Sequence, residues 1–217
     1  MKSIIIIPSR MASKRFPGKP MVNVDGTPMI QRVWQQAINS NVGEVIDVGS
    51  DVKSFAIGDR VVSNGNHAEV ISVPEFLAAK IPENVSYEDA AFTVVSSIGL
   101  HSIRQANPSF GETFLVTGLG LIGLLTCELL ISQGIRVLGC DFDSNKCSKA
   151  KSLGVDVLHL DGDSDLVSWC RNKTNNIGID GCIITASTSS SDPINIAAEV
   201  CRKRARIIMV GSTGMEL

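Results

Sequence analysis

The sequence predicts an α/β protein carrying a doubly wound parallel sheet, and three observations predict it. After Gly111, short β-branched runs alternate with helical stretches in regular order, the pattern of strands joined by crossover helices. A glycine-rich loop stands between the first of those strands and the helix that follows. An acidic residue, Asp141, closes the second strand.

The elements follow in order along the chain. Residues 3–7 read as a buried strand, because four isoleucines in a row suit a strand covered on both faces. Residues 8–20 are loop, and Asp25-Gly26 is a hairpin signal. Apolar residues at 29, 30, 33, 34, 37 and 38 have helical spacing. From Val42 the texture changes: 42–50, 60–63 and 67–74 are short, partly alternating stretches broken by Gly, Asn and Pro, the pattern of a small antiparallel β-unit. Ser86 is a good N-cap, with Glu88 and Asp89 suited to the positive end of a helix over 87–106. The sheet strands are expected at 113–117, 136–140, 156–159, 181–185 and 206–210, and its helices at 121–133, 144–153, 163–173 and 192–202. A sixth strand is not expected, since the chain stops just after the fifth.

Length and composition suit one large domain or two small ones: 217 residues, 44% hydrophobic and 19% charged. The longest apolar runs are too short to span a bilayer, and the N-terminus lacks a signal-peptide pattern, so the expectation is a cytoplasmic protein without membrane or nucleic-acid partners. All six cysteines (127, 140, 147, 170, 182 and 201) lie in the second half, none spaced as Cys-x-x-Cys, and they read as small buried side chains. The net charge of −2 hides an asymmetry: residues 1–41 hold six Lys/Arg against one acid, and the remainder holds 14 basic against 21 acidic residues. A shift that abrupt suggests two segments of different origin.

Gly118-Leu-Gly-Leu-Ile-Gly123 fits G-x-G-x-x-G in the context that gives the motif meaning, after a strand and opening a helix. Gly118 serves the tight turn, Gly120 lets backbone approach a pyrophosphate, and Gly123 allows close helix–strand packing. The pyrophosphate would lie at the helix N-terminus, where free N–H groups and the dipole favour anions. Asp141, 23 residues after Gly118, supplies a carboxylate for ribose hydroxyls. It would repel a 2′-phosphate, and no arginine follows at once to receive one, so NAD is expected in preference to NADP. The fold reads as a Rossmann sheet of five strands in the order 3-2-1-4-5.

The stretch ETFLVTGLGLIGLLTCELLISQGIRVLGCDFDSNKCSKAKSLGVD resembles the cofactor domain of medium-chain, zinc-alcohol-dehydrogenase-like oxidoreductases. Residues 42–92 resemble the second part of their GroES-like substrate domain. GDRVVSNGNHAEV and CRKRARIIMVGSTGMEL are similar, more narrowly, to the dehydrogenase half of two-part oxidoreductases found with surface-polysaccharide genes. The resemblance implies cofactor roles for Gly118, Gly120, Leu121, Ile122 and Gly123, with Asp141 and Lys146 on the ribose and Thr185 and Gly211 on the nicotinamide side. It implies a small-molecule substrate, with a sugar or sugar nucleotide among the options, lipopolysaccharide biosynthesis as the setting, and room for a homo-oligomer.

The departures from that family concern metal and proton chemistry. The early Cys and Gly-His-Glu segments that supply the first catalytic zinc ligands are absent, and the later cysteine position falls in Phe92-Thr-Val-Val-Ser-Ser97, which has no thiol. The four-cysteine structural loop is missing too, and His67 reads as a turn or strand residue rather than a ligand. No metal site is expected. Tyr87 is the only tyrosine and position 91 is Ala, so a Tyr-x-x-x-Lys proton donor is unavailable, and no catalytic residue is assigned.

IIPSRMASKRFPGKPM resembles the start of sugar-nucleotide cytidylyltransferases, most closely the enzymes that make CMP-KDO. The resemblance implies phosphate contacts for Arg10 and Lys19, with Ser9 near the base or phosphates; neutralised charge is what attack on an α-phosphate requires. The Mg²⁺-binding acids of those enzymes lie past the point where this resemblance stops. The expected organisation is therefore a grafted cytidylyltransferase-like segment over 1–41, a partial GroES-like unit with its linking helix over 42–110, and the Rossmann domain over 111–217. A sugar nucleotidyltransferase or a non-catalytic dinucleotide-binding remnant are the alternatives to an oxidoreductase.

Overall fold

Aliphatic residues that alternate between two faces make Thr113–Thr117 (β5) the central strand of a five-stranded parallel sheet. The computed structural model describes residues 43–64 and 70–214, with backbone alone at Asn23–Val24 (β1) and Thr27–Pro28 (β2). β1 and β2 pair antiparallel, Val24 opposite Thr27, on either side of the Asp25-Gly26 signal. That turn, the strand expected at 3–7 and the helix expected at 29–39 lie outside the described residues.

The chain divides into two units, residues 1–94 and 95–217. In the first, Glu44 bridges Arg60, and Val61–Ser63 (β3) pairs antiparallel with Ala78–Lys80 (β4). The sequence places a strand over 67–74 instead. Within the described part of that stretch there is none: Pro74 cannot donate to a ladder, and a single 3-10 turn at Glu75–Leu77 carries the chain into β4. Val62, Ile81 and Ala90 form a small core, and Arg60 stacks 4.2 Å from the Tyr87 ring centroid while donating to the Val85 carbonyl at 2.8 Å.

Ser86 caps as expected, accepting from the Asp89 N–H at 3.0 Å. The helix it opens is short, Tyr87–Ala90 (α1), and a second begins at once, Thr93–Ala106 (α2). The sequence reads one helix here. The break comes where Phe92 N–H bonds back to the Asp89 carbonyl, a tightened turn that interrupts the α pattern.

The second unit is the sheet. Leu121–Ser132 (α3), Arg136–Asp141 (β6), Ser144–Ser152 (α4), Asp156–His159 (β7), Leu166–Lys173 (α5), Ile179–Ile184 (β8), Asp192–Val200 (α6) and Cys201–Met209 (β9) follow β5 in strict alternation. The strand order is β7-β6-β5-β8-β9, all parallel, which is the expected 3-2-1-4-5. Side chains alternate across it. Phe114 and Val116 of β5, Val137 of β6 and Ile183 of β8 pack with α2, α3 and α4 on one face. Leu115, Leu138, Cys140, Cys182 and Ile184 pack with α5 and α6 on the other. Both faces are covered, which is why these strands read as continuous apolar runs.

The fifth strand starts earlier than its sequence suggests, because Cys201 already pairs with Ile179. The register then slips, and Arg206 faces Gly181, so residues 202–205 bulge outward with Arg204 at φ 66°. Charge holds the bulge. The Asp180 carboxylate accepts from the Thr113 N–H at 2.8 Å and from Arg202 Nε at 2.5 Å, joining β5, β8 and β9 at their amino ends. Arg206 donates to Glu112 at 2.6 Å beside it. Asp180→Ala leaves the Thr113 N–H and the Arg202 Nε–H without their acceptor, and urea unfolding should show a loss of about 2 kcal/mol.

All six cysteines are free thiols, and all but Cys201 are buried. Burial pushes the Cys127 and Cys170 thiols up to about 12 and Cys201 up to about 11, so at neutral pH these side chains stay protonated and act as packing. Among the described residues no helix is long and apolar enough to cross a membrane.

Candidate functional site

The sheet reverses its winding at β5: the chain leaves that strand toward β6 on one side and reaches β8 on the other. In an open α/β sheet, the crevice beyond the carboxyl ends of the strands at such a point is where ligands bind. The sequence-selected residues Gly118, Gly120, Leu121, Ile122, Gly123, Asp141, Thr185 and Gly211 all follow or end strands at that edge, and Lys146 lies in the first turn of α4 just beyond it.

Each glycine of the loop has a different physical reason to be one. Gly118 sits at φ +89°, and a Cβ there would lie 2.7 Å from the Ala186 nitrogen. Gly123 packs α3 on the loop itself: a Cβ would fall 2.0 Å from the Gly118 carbonyl oxygen. Gly120 is constrained by neither. Its φ of −71° suits any residue, and a Cβ would meet nothing within 4 Å. It is also the N-cap of α3, so no side chain caps that helix, and its first N–H groups lack the usual side-chain acceptor. The loop therefore presents an open space beside uncapped backbone donors at the positive end of a helix. A diphosphate fits such a cradle. Leu121 is half exposed at its rim and Ile122 half-buried behind it.

Asp141 closes β6 with its side chain only 11% exposed. One oxygen accepts from the Leu119 N–H at 2.7 Å and the other from the Asp143 N–H at 2.9 Å, and Lys146 Nζ lies 3.7 Å from the latter oxygen. Asp143 caps α4 by accepting from Asn145 N–H at 2.8 Å and Lys146 N–H at 3.3 Å, which places Lys146 beside Asp141. His159, opposite Asp141 in the β6–β7 register, has Nε2 3.0 Å from the Phe142 carbonyl. Its ring holds the backbone just past the acid, a role that its position at the end of a predicted strand did not announce.

On the other side, Thr185 N–H and Ala186 N–H both donate to the Thr117 carbonyl at 2.9 Å. The Thr185 hydroxyl reaches the Gly118 carbonyl at 2.5 Å. Gly211 follows β9, and a Cβ there would fall 1.8 Å from the Ala186 carbonyl oxygen, so the segments after β8 and β9 touch backbone to backbone. Thr188 N–H to Ser212 O at 2.8 Å and Gly214 N–H to Ser190 O at 3.0 Å continue that contact. The buried Thr117 and Thr213 hydroxyl oxygens have no hydrogen-bond partner, a polar reserve beside the crevice.

Four other sequence-selected residues, Ser9, Arg10, Lys19 and His67, lie outside the described residues. Among the described residues no three His, Cys, Asp or Glu side chains are grouped to hold a metal ion. Phe92, which opens the thiol-free stretch 92–97, stands 46% exposed in the break between α1 and α2.

The sheet order, its two covered faces and the glycine loop at the reversal define a Rossmann-like domain. Comparison with known proteins shows what the chain is similar to. Residues 122–217 match the family model described as zinc-binding dehydrogenase, and the chain has homologues among the medium-chain dehydrogenases. One is (R,R)-butanediol dehydrogenase of Bacillus subtilis, 28% identical over 61% of this chain and 46% of the relative. Another is D-guloside 3-dehydrogenase of Escherichia coli, 29% identical over 68% of this chain and 43% of the relative. The solved structure of mycobacterial Rv1454c complexed with NADPH superposes with a TM-score of 0.69 at 25% identity, over 81% of this chain and 57% of that one. The chain thus spans about half the length of the curated relatives it matches. A second family model, cytidylyltransferase, matches residues 4–73, over the N-terminal segment with that resemblance and on past the change of texture at Val42.

Proposed function

We propose that the chain binds a nicotinamide dinucleotide, NAD in preference to NADP, and serves as a zinc-independent oxidoreductase acting on a small sugar-like substrate. The observation that carries this reading is Gly120, a glycine that neither its backbone conformation nor its protein neighbours require. What remains to require it is a ligand lying against it. Gly118, Gly120, Leu121, Ile122 and Gly123 would hold the diphosphate, Asp141 and Lys146 the adenosine ribose, and Thr185 and Gly211 would bound the nicotinamide half. The bound dinucleotide would supply hydride chemistry. This chain's residues bind it, orient it and pack the crevice floor with the backbone contacts after β8 and β9.

The name of the guloside dehydrogenase supports a sugar-like substrate. The NADPH in the mycobacterial structure weighs toward the phosphorylated dinucleotide. Asp141 weighs against it here, since a carboxylate with little solvent around it repels a 2′-phosphate. Titration of the full chain with NADH and NADPH tests the point: NADH should bind at least tenfold more tightly, and Asp141→Ala should shrink that ratio. Equal affinities in the wild type would overturn the preference.

The cytidylyltransferase match supports a second reading of the N-terminal segment, as the phosphate-binding loop of a nucleotidyltransferase. It requires CTP- and Mg²⁺-dependent release of pyrophosphate that Arg10→Ala abolishes. We read the three segments 1–41, 42–110 and 111–217 as the product of a junction near Asn41-Val42, supported by the change of charge there. Sequencing the source locus across codons ~30–55 tests this, and homologous chains running unbroken through the join would sink it.

A further inference from the structure

One peptide unit at the heart of the loop is gripped from both sides. The Gly118 carbonyl accepts a hydrogen bond from the Thr185 hydroxyl, which comes from the end of β8, at 2.5 Å. The N–H of the same peptide, on Leu119, donates to the Asp141 carboxylate at the end of β6, at 2.7 Å. A peptide bond is planar and trans, so its C=O and N–H point in opposite directions. Holding both ends from opposite strands therefore fixes the rotation of the plane. That rotation sets the course of the chain through Gly120 into α3, and with it the aim of the uncapped N–H groups.

The Thr185 hydroxyl has one proton, and two carbonyls lie near it. Thr117 O, at 3.1 Å, already accepts two backbone N–H bonds, from Thr185 and Ala186. Gly118 O is nearer, and Gly123, with no Cβ, leaves room for the contact: a Cβ would stand 2.0 Å from Gly118 O and 2.8 Å from Thr185 Oγ1. Its hydroxyl is thus committed to the loop rather than held free for a ligand.

We propose that Thr185 is a positioning residue, which raises affinity for the diphosphate half of a dinucleotide by fixing the Gly118–Leu119 peptide plane in concert with Asp141. The inference rests on the dinucleotide reading above and deepens it. A residue that acts at the nicotinamide end affects only ligands possessing that end. A residue that acts through the loop affects every ligand with the diphosphate.

The experiment is titration of this whole chain with NADH and, separately, with ADP-ribose, which lacks nicotinamide. Thr185→Ala should weaken both by a similar factor, about tenfold for one hydrogen bond that preorganises the site. Thr185→Ser, which keeps the hydroxyl, should restore both. Thr185→Val, of nearly unchanged shape, carries the same test if the alanine variant does not fold. Weakened NADH with unchanged ADP-ribose would overturn the proposal and leave Thr185 with a role at the nicotinamide end alone. Unchanged affinity for both in a folded variant would overturn it as well. A wild-type chain that binds neither ligand would instead remove the dinucleotide reading itself.

Discussion

Gly120→Asp should leave thermal unfolding of the chain where it is and reduce NADH affinity at least a hundredfold. The two halves of this expectation come from one geometry. Position 120 has an ordinary φ, and its missing Cβ faces nothing within 4 Å, so a side chain there strains neither backbone nor packing. A change of that kind at an open position costs at most about 0.5 kcal/mol of stability. The same open space is where the diphosphate is proposed to lie, and a carboxylate there meets like charge and occupies its room. A hundredfold loss corresponds to about 2.7 kcal/mol, modest for such repulsion in a partly desolvated crevice. Unchanged affinity in Gly120→Asp, with the wild type binding NADH, would mean that the dinucleotide lies elsewhere. Equilibrium titration and a melting curve on the same preparation decide it.

Gly123→Ala should do the opposite and unfold the domain more readily. Its new methyl would stand 2.0 Å from the Gly118 carbonyl oxygen, which Thr185 already holds in place, so neither partner can yield cheaply. Overpacking against fixed backbone should cost about 3 kcal/mol, a fall of roughly 6–12 °C in Tm for a chain of this size. Dinucleotide affinity should fall with it, because the shift that relieves the overlap moves α3 away from the loop. A Tm within about 1 °C of wild type would show that the helix can slide, and the packing argument for this glycine would fail.

Much of this was legible in the chain itself because both faces of the sheet are covered. Strands buried on two sides must be apolar throughout, and helices between them must carry one apolar stripe, so 113–217 reads almost element by element. The two ends of β5 match expectation to the residue, and β7 does too. Where the reading slipped, a non-local contact decided the outcome. β9 begins at Cys201 because Asp180 and Arg202 pair across two strands, a contact that no periodicity carries. Residues 70–74 carry no strand, and the ladder forms instead where Ala78–Lys80 pair with Val61–Ser63, a contact across some fifteen residues.

The site divides the same way. Which residues gather at the carboxyl edge follows from the motif and from strand ends, both visible in sequence. What they do to one another is not. The motif assigns Gly118, Gly120 and Gly123 a turn, a ligand approach and a helix contact, and the structure adds which atoms a side chain at each would meet. Asp141 and Thr185 enter the sequence argument as ligand contacts, and the geometry adds that both hold the loop. That double use was invisible because 22 residues separate Asp141 from Leu119 and 67 separate Thr185 from Gly118.

The bulge in β9 has a bearing on how this molecule behaves in company. An outermost strand offers its free backbone to any other strand, and long flat ones recruit copies of themselves. Here the first half of that strand is kinked out of line, and Arg202, Lys203 and Arg204 crowd the kink with like charge. Only the stretch from Arg206 onward, with Ile207 and Met209 partly uncovered, stays straight. Among the described residues, a strand laid along the open side of β9 would meet a straight run of about four residues, 206–209, before the charged kink interrupts the ladder.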